Sequence, residues 1–197
     1  MGTLFIVSAA SGTGKTSLVA RLLSEEPMLS LSVSFTTRAP REGEINGREY
    51  HFIDTVTFEK MIAAGDFLEY AEIYGNYYGT SLSAIKEQLQ QHDVLVEIDW
   101  QGAKQIIERV KTTVVSIFIL PPSMAVLEKR LRSRAKDDEA IIKRRLFSAK
   151  EEIAQAFMYD YVMVNEDFEE ASIDLRAIVR ANRLYLTNYQ DLWQRLI

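Results

Sequence analysis

The sequence predicts an α/β fold in which a parallel sheet is flanked by helices. Two observations lead to this prediction. Short apolar runs recur along the chain without strict alternation, which is typical of strands that are covered on both faces. Each run also stands next to a segment of helical periodicity, as in consecutive βα units. The four predicted strands cover residues 4 to 7 (LFIV), 94 to 99 (VLVEID), 114 to 120 (VVSIFIL) and 161 to 165 (YVMVN).

The helices are predicted from apolar residues spaced three and four positions apart. The fifth helix shows this spacing clearly, because its apolar residues form one stripe: Ile142, Leu146, Ala149, Ile153 and Phe157. The predicted helices cover residues 15 to 25, 81 to 91, 102 to 110, 123 to 134, 139 to 157 and 170 to 195.

Two regions depart from the βα pattern and predict two lobes inserted into one compact unit. Residues 32 to 80 are rich in Thr, Gly, Tyr and Phe and contain alternating stretches such as EYHFI, so a small β-rich lobe is expected there. Residues 128 to 150 are instead dense in Arg and Lys. The chain has no internal repeat and no Pro/Ser-rich linker, so tandem domains are not expected.

Composition narrows the range of functions. The 197 residues carry a formal net charge of -5, which argues against non-specific binding to nucleic acid. Cysteine is absent and only 2 histidines occur, so disulfides and cysteine-ligated metal sites are excluded. No apolar run approaches the ~18 to 20 residues of a membrane span, and the start of the chain lacks a basic leader. A soluble cytoplasmic protein is expected.

The stretch SAASGTGKTS joins the first predicted strand to the first predicted helix. It matches the phosphate-loop pattern G-x-x-x-x-G-K-[ST], except that Ala9 stands at the first glycine. Gly12 and Gly14 let backbone N–H groups turn toward one anion, and the helix adds its positive end. Lys15 is then expected to reach the outer phosphates of a nucleotide, and Thr16 to ligate Mg²⁺. An ordinary strand-to-helix turn is the alternative.

Asp99 ends the apolar run VLVEID. Ligands of open parallel sheets bind at the carboxyl ends of the strands, so this carboxylate is expected to orient metal-bound water or to contact a substrate. Its other role would be to cap the helix that follows, and the two roles are compatible. Glu97, two residues earlier, should point to the same side of the strand.

Two further stretches offer groups that suit a nucleotide acceptor. In TTRAPREGEINGREYHF, Arg38 and Arg41 flank Pro40, and two guanidinium groups on this stiffened segment suit a phosphate monoester. In FLEYAEIYGNYYGTS, Glu69 lies among aromatic residues, where a carboxylate could accept both N1–H and N2–H₂ of guanine. The simpler interpretations are a solvated loop for the arginines and a surface acid for Glu69.

The basic segment places Arg130 and Arg134 four residues apart on one helical face and Arg145 on the following helix. Phosphoryl transfer between two anionic nucleotides concentrates negative charge, which arginines on a closing lobe can neutralise. The alternatives for this segment are a solvated basic face and contact with nucleic acid.

In their order and spacing, the phosphate loop, SFTTRAPREGEINGREYHF, LEYAEIYGNYYGTS, IDWQG and the basic segment resemble the guanylate kinase family along nearly the whole chain. The second and third stretches are the most specific. The resemblance implies a P-loop NTPase-like fold and an ATP:GMP phosphotransferase that uses Mg²⁺. It also implies a core of about residues 1 to 32, 93 to 123 and 157 to 197, a GMP-binding lobe of about residues 33 to 92, and a helical lid of about residues 124 to 156.

The resemblance further assigns roles to individual residues. The ATP phosphates fall on the loop residues Ala9, Ala10, Ser11, Gly12, Thr13, Gly14, Lys15 and Thr16. The contacts to the GMP phosphate are assigned to Arg38, Arg41, Tyr50 and Tyr78. The contacts to guanine are assigned to Ser34, Glu69 and Thr80, with Asp99 near the base. The resemblance assigns metal binding to Thr16 and Asp99. It assigns catalytic roles to Lys15, Arg41, Arg130, Arg134 and Arg145. Asn165, in VNED, matches the adenine-side motif.

Three positions depart from the family pattern. Ala9 replaces the first loop glycine, which such a loop accepts if that residue does not need a positive φ. Glu97 stands where the family usually has Asp, so no metal role is assigned to it. Ala135 follows Arg134 where Gly is usual. None of these changes deletes a chemical group.

The implied reaction is in-line transfer of the γ-phosphoryl group of Mg·ATP to GMP or dGMP, for guanine nucleotide synthesis and recycling. It needs no catalytic base, because the attacking phosphate oxygen is already ionised. Two other hypotheses stay open: a protein-recognition scaffold, although such scaffolds tend to have damaged phosphate loops, and a small kinase for another acceptor such as a ribose bisphosphate. Neither nucleic acid nor a membrane is expected as a partner, and both a monomer and a homo-oligomer are compatible with the sequence.

Overall fold

The computed structural model describes residues 2 to 110, 114 to 134, 139 to 185 and 194 to 196, which build two sheets and their flanking helices. The strands are β1 (Leu4–Ala9), β2 (Leu29–Leu31), β3 (Phe35–Thr36), β4 (His51–Phe52), β5 (Phe67–Ile73), β6 (Asn76–Ser81), β7 (Asp93–Glu97), β8 (Val114–Leu120) and β9 (Tyr161–Val164). The helices are α1 (Lys15–Glu25), α2 (Thr55–Ala64), α3 (Leu82–Gln88), α4 (Trp100–Arg109), α5 (Met124–Arg134), α6 (Glu139–Ile153) and α7 (Phe168–Arg183), with a 3₁₀ turn at Ala156–Met158.

The central sheet has the strand order β2-β7-β1-β8-β9, and every neighbouring pair is parallel. Its middle strand β1 is buried on both faces. Phe5 and Val7 pack with α1 and α7 on one face, while Leu4 and Ile6 pack with α3 and α4 on the other. This arrangement explains the continuous apolar run and confirms the predicted parallel sheet between helices.

The predicted elements of the core are present, with shifts at their ends. The four predicted strands are β1, β7, β8 and β9, and the first predicted helix has the predicted bounds. The short edge strand β2 was not predicted. The predicted apolar stripe of α6 is wrong at Phe157, because the helix ends at Ile153 and Phe157 is 84% exposed. The last predicted helix begins at Phe168 and ends at Arg183, and residues 186 to 193 lie outside the described residues.

The β-rich lobe contains a second sheet with the order β4-β3-β6-β5, as the composition predicted. It also contains α2, which was not predicted. Asp54 caps this helix by accepting a hydrogen bond from the Thr57 N–H at 2.8 Å. Phe58 of α2 is fully buried and stacks on Phe67 of β5, with ring centroids 4.4 Å apart. The Thr-rich and Phe-containing sequence of α2 therefore serves aromatic packing within the lobe.

The basic segment forms the helical insertion α5 and α6, which lies over the phosphate loop. Leu127 and Leu131 of α5 and Ala149 of α6 pack with Ala10 in a small apolar cluster. The predicted boundaries of core, lobe and lid stay predictions. In the described parts of the chain, no helix combines the length and the hydropathy needed to cross a membrane.

Candidate active site

A cleft of about 390 Å³ opens at the carboxyl ends of β1 and β7, where the central sheet meets the β-rich lobe and α6. Residues from all three regions contribute to it, although they lie far apart in the sequence. The predicted site residues that line the cleft are Ala9, Ala10, Ser11, Gly12, Gly14, Lys15, Thr16, Ser34, Arg41, Tyr50, Glu69, Tyr78, Asp99 and Arg145.

The phosphate loop requires both of its later glycines. Gly12 and Gly14 have φ values of 90° and 102°, in the left-handed region that favours glycine. A methyl group at Gly14 would also lie only 2.5 Å from the side-chain nitrogen of Asn165. Ala9 lies within β1, and in the described part of the chain Tyr74 is the only residue other than glycine with a positive φ. Alanine at the first loop position is therefore compatible with this backbone.

Lys15 and Thr16 begin α1, and both contact Glu97 at the end of β7. The Thr16 hydroxyl donates a hydrogen bond to Glu97 Oε1 at 2.8 Å, and Lys15 Nζ lies 3.6 Å from the same oxygen. Asp99 caps α4, since its carboxylate accepts a hydrogen bond from the Gly102 N–H at 3.0 Å. Glu97 received no role from the sequence, although its position two residues before Asp99 was an available signal.

Three oxygen donors that line the cleft fit a magnesium ion that arrives with a nucleotide. The Thr16 hydroxyl and the carboxylates of Glu97 and Asp99 are oxygen donors, which Mg²⁺ prefers. In nucleotide sites this ion takes one or two carboxylates and completes its shell with phosphate oxygens and water. The described residues contain no group of three or more acidic or histidine side chains arranged to hold a metal by themselves.

Glu69 and Thr80 are partners across the antiparallel pair β5 and β6. They are 3% and 0% exposed, and the Thr80 hydroxyl donates to Glu69 Oε1 at 2.6 Å. The Ser34 hydroxyl lies 3.4 Å from that of Thr80. Burial raises the pKa of Glu69 to about 7; the Thr80 hydrogen bond opposes the shift, and the charge of Asp99 adds to it. The surface-acid interpretation of Glu69 is therefore wrong.

Three of the four residues predicted to contact an acceptor phosphate line the cleft, namely Arg41, Tyr50 and Tyr78. The rings of Tyr50 and Tyr78 meet edge to face, with centroids 5.8 Å apart. Arg38 lies beside them, where its guanidinium donates to Glu44 Oε1 at 2.8 Å and stands 5.5 Å from the centroid of the Tyr50 ring. Glu44 thus balances the charge of Arg38 and fixes its position.

Two of the three predicted transfer-site arginines line clefts, and these are two different clefts. Arg145 lines the cleft of about 390 Å³ described above, which is called the main cleft from here on. Arg130 lines a second cleft of about 300 Å³, where its guanidinium donates to the backbone oxygens of Thr13 at 3.3 Å and Asn165 at 3.0 Å. Arg134 is the last residue of α5, and Ala135 lies outside the described residues. In this arrangement Arg130 supports the loop, and its role in transfer stays a prediction.

Asn165 follows β9 and also lines the second cleft. Its side-chain nitrogen donates to the backbone oxygen of Thr13 at 2.7 Å, and only 4% of the residue is exposed. The same carbonyl thus accepts hydrogen bonds from Asn165 and from Arg130. Asn165 therefore supports the phosphate loop, and its adenine contact stays a prediction.

Glu152 of α6 is a cleft residue that was not predicted. It lines the main cleft together with Ser11, Lys15 and Asp99. Burial raises the pKa of Glu152 to about 7; the Ser11 N–H and the charge of Lys15 oppose the shift, while the charge of Asp99 adds to it. A glutamate that follows Glu151 in a highly charged helix gives no sequence signal of such burial.

A glycine-rich loop between the middle strand of a parallel sheet and a helix that begins with Lys and Thr defines a phosphate-loop nucleotide-binding protein. Comparison with known proteins identifies the family. The family model described as guanylate kinase matches residues 1 to 182. The chain belongs to the guanylate kinase family.

Individual relatives agree with this assignment and confirm the predicted resemblance and fold class. The chain is 55% identical over 185 residues to a guanylate kinase from Chromobacterium violaceum, an alignment that covers 93% of this chain and 88% of the relative. It is 50% identical over 197 residues to one from Psychrobacter arcticus, covering 100% and 94%. The crystal structure of guanylate kinase from Anaplasma phagocytophilum matches with a TM-score of 0.78 and 36% identity, covering 93% and 87%.

Proposed function

We propose that this chain transfers the γ-phosphoryl group of Mg·ATP to GMP, giving ADP and GDP. The observation that carries the proposal is the buried carboxylate of Glu69, which lines the same cleft as the phosphate loop. A phosphate loop alone suits any nucleoside triphosphate, whereas a buried carboxylate selects a base that offers two adjacent N–H groups. Family membership supports the same activity.

The acceptor is proposed to bind between the lobe and the loop. Ser34, Glu69 and Thr80 would hold guanine, with Asp99 near the base, and Arg38, Arg41, Tyr50 and Tyr78 would hold the phosphate. Guanine donates N1–H and N2–H₂ from one edge, so it pairs with both oxygens of an ionised carboxylate. Adenine presents an acceptor at N1 and would leave one buried oxygen unpaired, which is costly.

Transfer is proposed to proceed by positioning and charge neutralisation. A phosphate oxygen of GMP forms a bond to the γ-phosphorus while the bond from that phosphorus to the bridging oxygen of ATP breaks, and ADP keeps the electron pair. Lys15, Arg41 and Arg145 lie on the cleft and would neutralise the developing charge. Arg130 and Arg134 would join them when the helical lid closes. Thr16, with Glu97 and Asp99 on the same cleft, would hold Mg²⁺, which would supply charge neutralisation on the phosphates.

Further parts of the proposal follow from the assigned contacts. None of the residues proposed for the acceptor is assigned to the sugar 2′-hydroxyl, so dGMP is proposed as a second acceptor. The activity would serve guanine nucleotide synthesis and recycling. The cytoplasmic location stays a prediction, as does the expected absence of a nucleic-acid partner.

The test is release of ADP from Mg·ATP with GMP, dGMP, AMP, UMP, CMP and dTMP offered separately and with no acceptor as the blank. We expect activity with GMP and dGMP alone. Equal activity with AMP would contradict the role of Glu69. If the folded protein bound GMP but released no ADP with any acceptor, the proposal would fail in favour of a protein-recognition scaffold.

A further inference from the structure

Helix α4 packs against β5 directly beside Glu69. Gly102, in the first turn of α4, is buried. A methyl group built on Gly102 would lie 2.3 Å from Glu69 Oε2 and 2.9 Å from the carboxyl carbon, far inside van der Waals contact. Only a hydrogen at this position leaves room for the carboxylate where it stands.

The backbone does not itself require glycine at this position. Gly102 lies within a regular helix and has no positive φ, unlike Gly12 and Gly14. Alanine is the better helix former, so glycine within a helix carries a cost in stability. The close approach of the Glu69 carboxylate is the feature of this structure that accounts for that cost.

A second contact fixes the same helix to the same strand. The Gln105 side chain donates to the backbone oxygen of Tyr70 at 2.7 Å and accepts from the Tyr70 N–H at 3.4 Å. Gln105 lies three residues after Gly102, so both face β5. Because Tyr70 follows Glu69, Gln105 sets the position of the strand and Gly102 sets the space left for the carboxylate.

The strand pairing is irregular next to Glu69. The register of β5 against β6 shifts between Phe67 and Glu69. With Thr80 bonded to Oε1 and Gly102 next to Oε2, the carboxylate is confined from two sides. Thr80 belongs to strand β6 of the lobe, and Gly102 belongs to helix α4, which packs on the central sheet.

We propose that Gly102 and Gln105 are positioning residues that determine base specificity, because they hold the Glu69 carboxylate in the orientation that guanine needs. The proposal rests on the proposed function, since it takes GMP as the acceptor. Both residues act through Glu69.

The test compares steady-state kinetics of the parent and of Gly102→Ala. The added methyl group displaces the carboxylate, so we expect the KM for GMP to rise about tenfold. The base preference, measured as the dissociation constant of AMP divided by that of GMP, should fall by a similar factor. The KM for ATP should stay at the parental value, and kcat at saturating GMP should change by less than about threefold. Gln105→Ala, which removes both hydrogen bonds to Tyr70, should raise the KM for GMP about threefold.

Two comparisons separate positioning from a general effect on the fold. Lys104→Ala changes the exposed side of the same helix, and its kinetics should match the parent. In a Glu69→Ala background the methyl group at position 102 has no carboxylate to displace. Adding Gly102→Ala to that variant should therefore leave its KM for GMP unchanged.

A parental KM and base preference in Gly102→Ala would overturn the proposal, as would a tenfold loss that persists in the Glu69→Ala background. If the single variant Gly102→Ala fails to fold, the proposal is tested with Gln105→Ala and with the double variant Glu69→Ala/Gly102→Ala. If the parent does not phosphorylate GMP, the proposed function fails. Equilibrium binding of GMP to the parent and to Gly102→Ala then still measures the positioning effect, and equal affinities would overturn it.

Discussion

The phosphate loop and the base pocket, which is the proposed guanine site of Ser34, Glu69 and Thr80, meet at one cleft but offer different kinds of group. The loop offers backbone N–H groups and the start of α1, and its Thr13 carbonyl is held by Arg130 and Asn165. The base pocket depends on side chains, above all on the buried carboxylate of Glu69. Every residue except proline offers a backbone N–H group, whereas a carboxylate side chain is present only where the sequence has Asp or Glu. We therefore expect phosphate binding and choice of base to be separable. Variants of the loop should change phosphoryl transfer, and variants of the base pocket should change the selection of the acceptor.

On the loop side, Lys15→Ala should give the largest effect. We expect kcat to fall about a thousandfold, because the charge that develops on the transferred phosphoryl group loses a fixed cation. The dissociation constant of GMP should stay close to that of the parent, since Lys15 lies outside the base pocket. Steady-state kinetics and equilibrium binding measure the two quantities. The control is Lys104→Ala. If the Lys15→Ala variant kept a tenth of the parental activity, the proposed role of Lys15 in stabilising the transferred phosphoryl group would be wrong.

On the base side, Glu69→Gln keeps the size of the side chain but turns one acceptor into a donor. We expect the KM for GMP to rise about a hundredfold, because a buried group would then face the N–H groups of guanine without pairing. The KM for ATP should not change. Kinetics with each substrate varied in turn distinguish these outcomes, and an equal loss for ATP would show that the two sides are not separable.

A smaller effect is expected for Glu97→Gln, which removes the charge that faces Thr16 and Lys15. The Mg²⁺ concentration for half-maximal activity should rise about tenfold, because the site loses a negative charge near the ion, while the amide oxygen of Gln can still accept the hydrogen bond from the Thr16 hydroxyl. A magnesium titration at saturating ATP and GMP measures this change. Glu108→Gln, on the exposed side of α4, is the matched control. An unchanged magnesium requirement would contradict the role of Glu97.

Between pH 8 and pH 7, the smallest effect is a pH dependence of the KM for GMP that is confined to the base side. Burial raises the pKa of Glu69 to about 7, so about half of the pockets hold a protonated acid at that pH. A protonated carboxyl offers an O–H where guanine also donates, so the KM for GMP should rise about twofold from pH 8 to pH 7 and about tenfold by pH 6. Protonation of the GMP phosphate affects the parent and Glu69→Gln equally. The ratio of their KM values isolates Glu69, and a ratio constant with pH would contradict its raised pKa.

The sequence predicted those parts of the molecule that local patterns determine. Strand β1 and the start of α1 follow from a buried apolar run and from glycines next to Lys15. The helix α2 was missed because its Thr and Phe residues, which favour strands in isolation, pack here against the aromatic side chains of the lobe.

Within the site, the groups that a motif carries were predicted, and those defined by long-range contact were not. Glu69 was identified from its neighbours in sequence, and its burial became evident only in the fold. The approach of Gly102 to the Glu69 carboxylate joins two segments that are distant in the sequence, and no local pattern indicates it. The same holds for Glu152, which reaches the loop only because α6 lies over it.

The burial of Glu69 also has a consequence for the stability of the folded chain. Its pKa is about 7 in the fold against 4.5 for the exposed side chain, so folded protein binds this proton more tightly than unfolded protein. The stability that comes from this proton is fully present below pH 4.5 and is lost as pH rises through about 7. The loss is on the order of 3 kcal/mol. At mildly alkaline pH, the carboxylate that is proposed to select the base thus lowers the stability of the fold, and a ligand that pairs with the ionised group restores part of that stability.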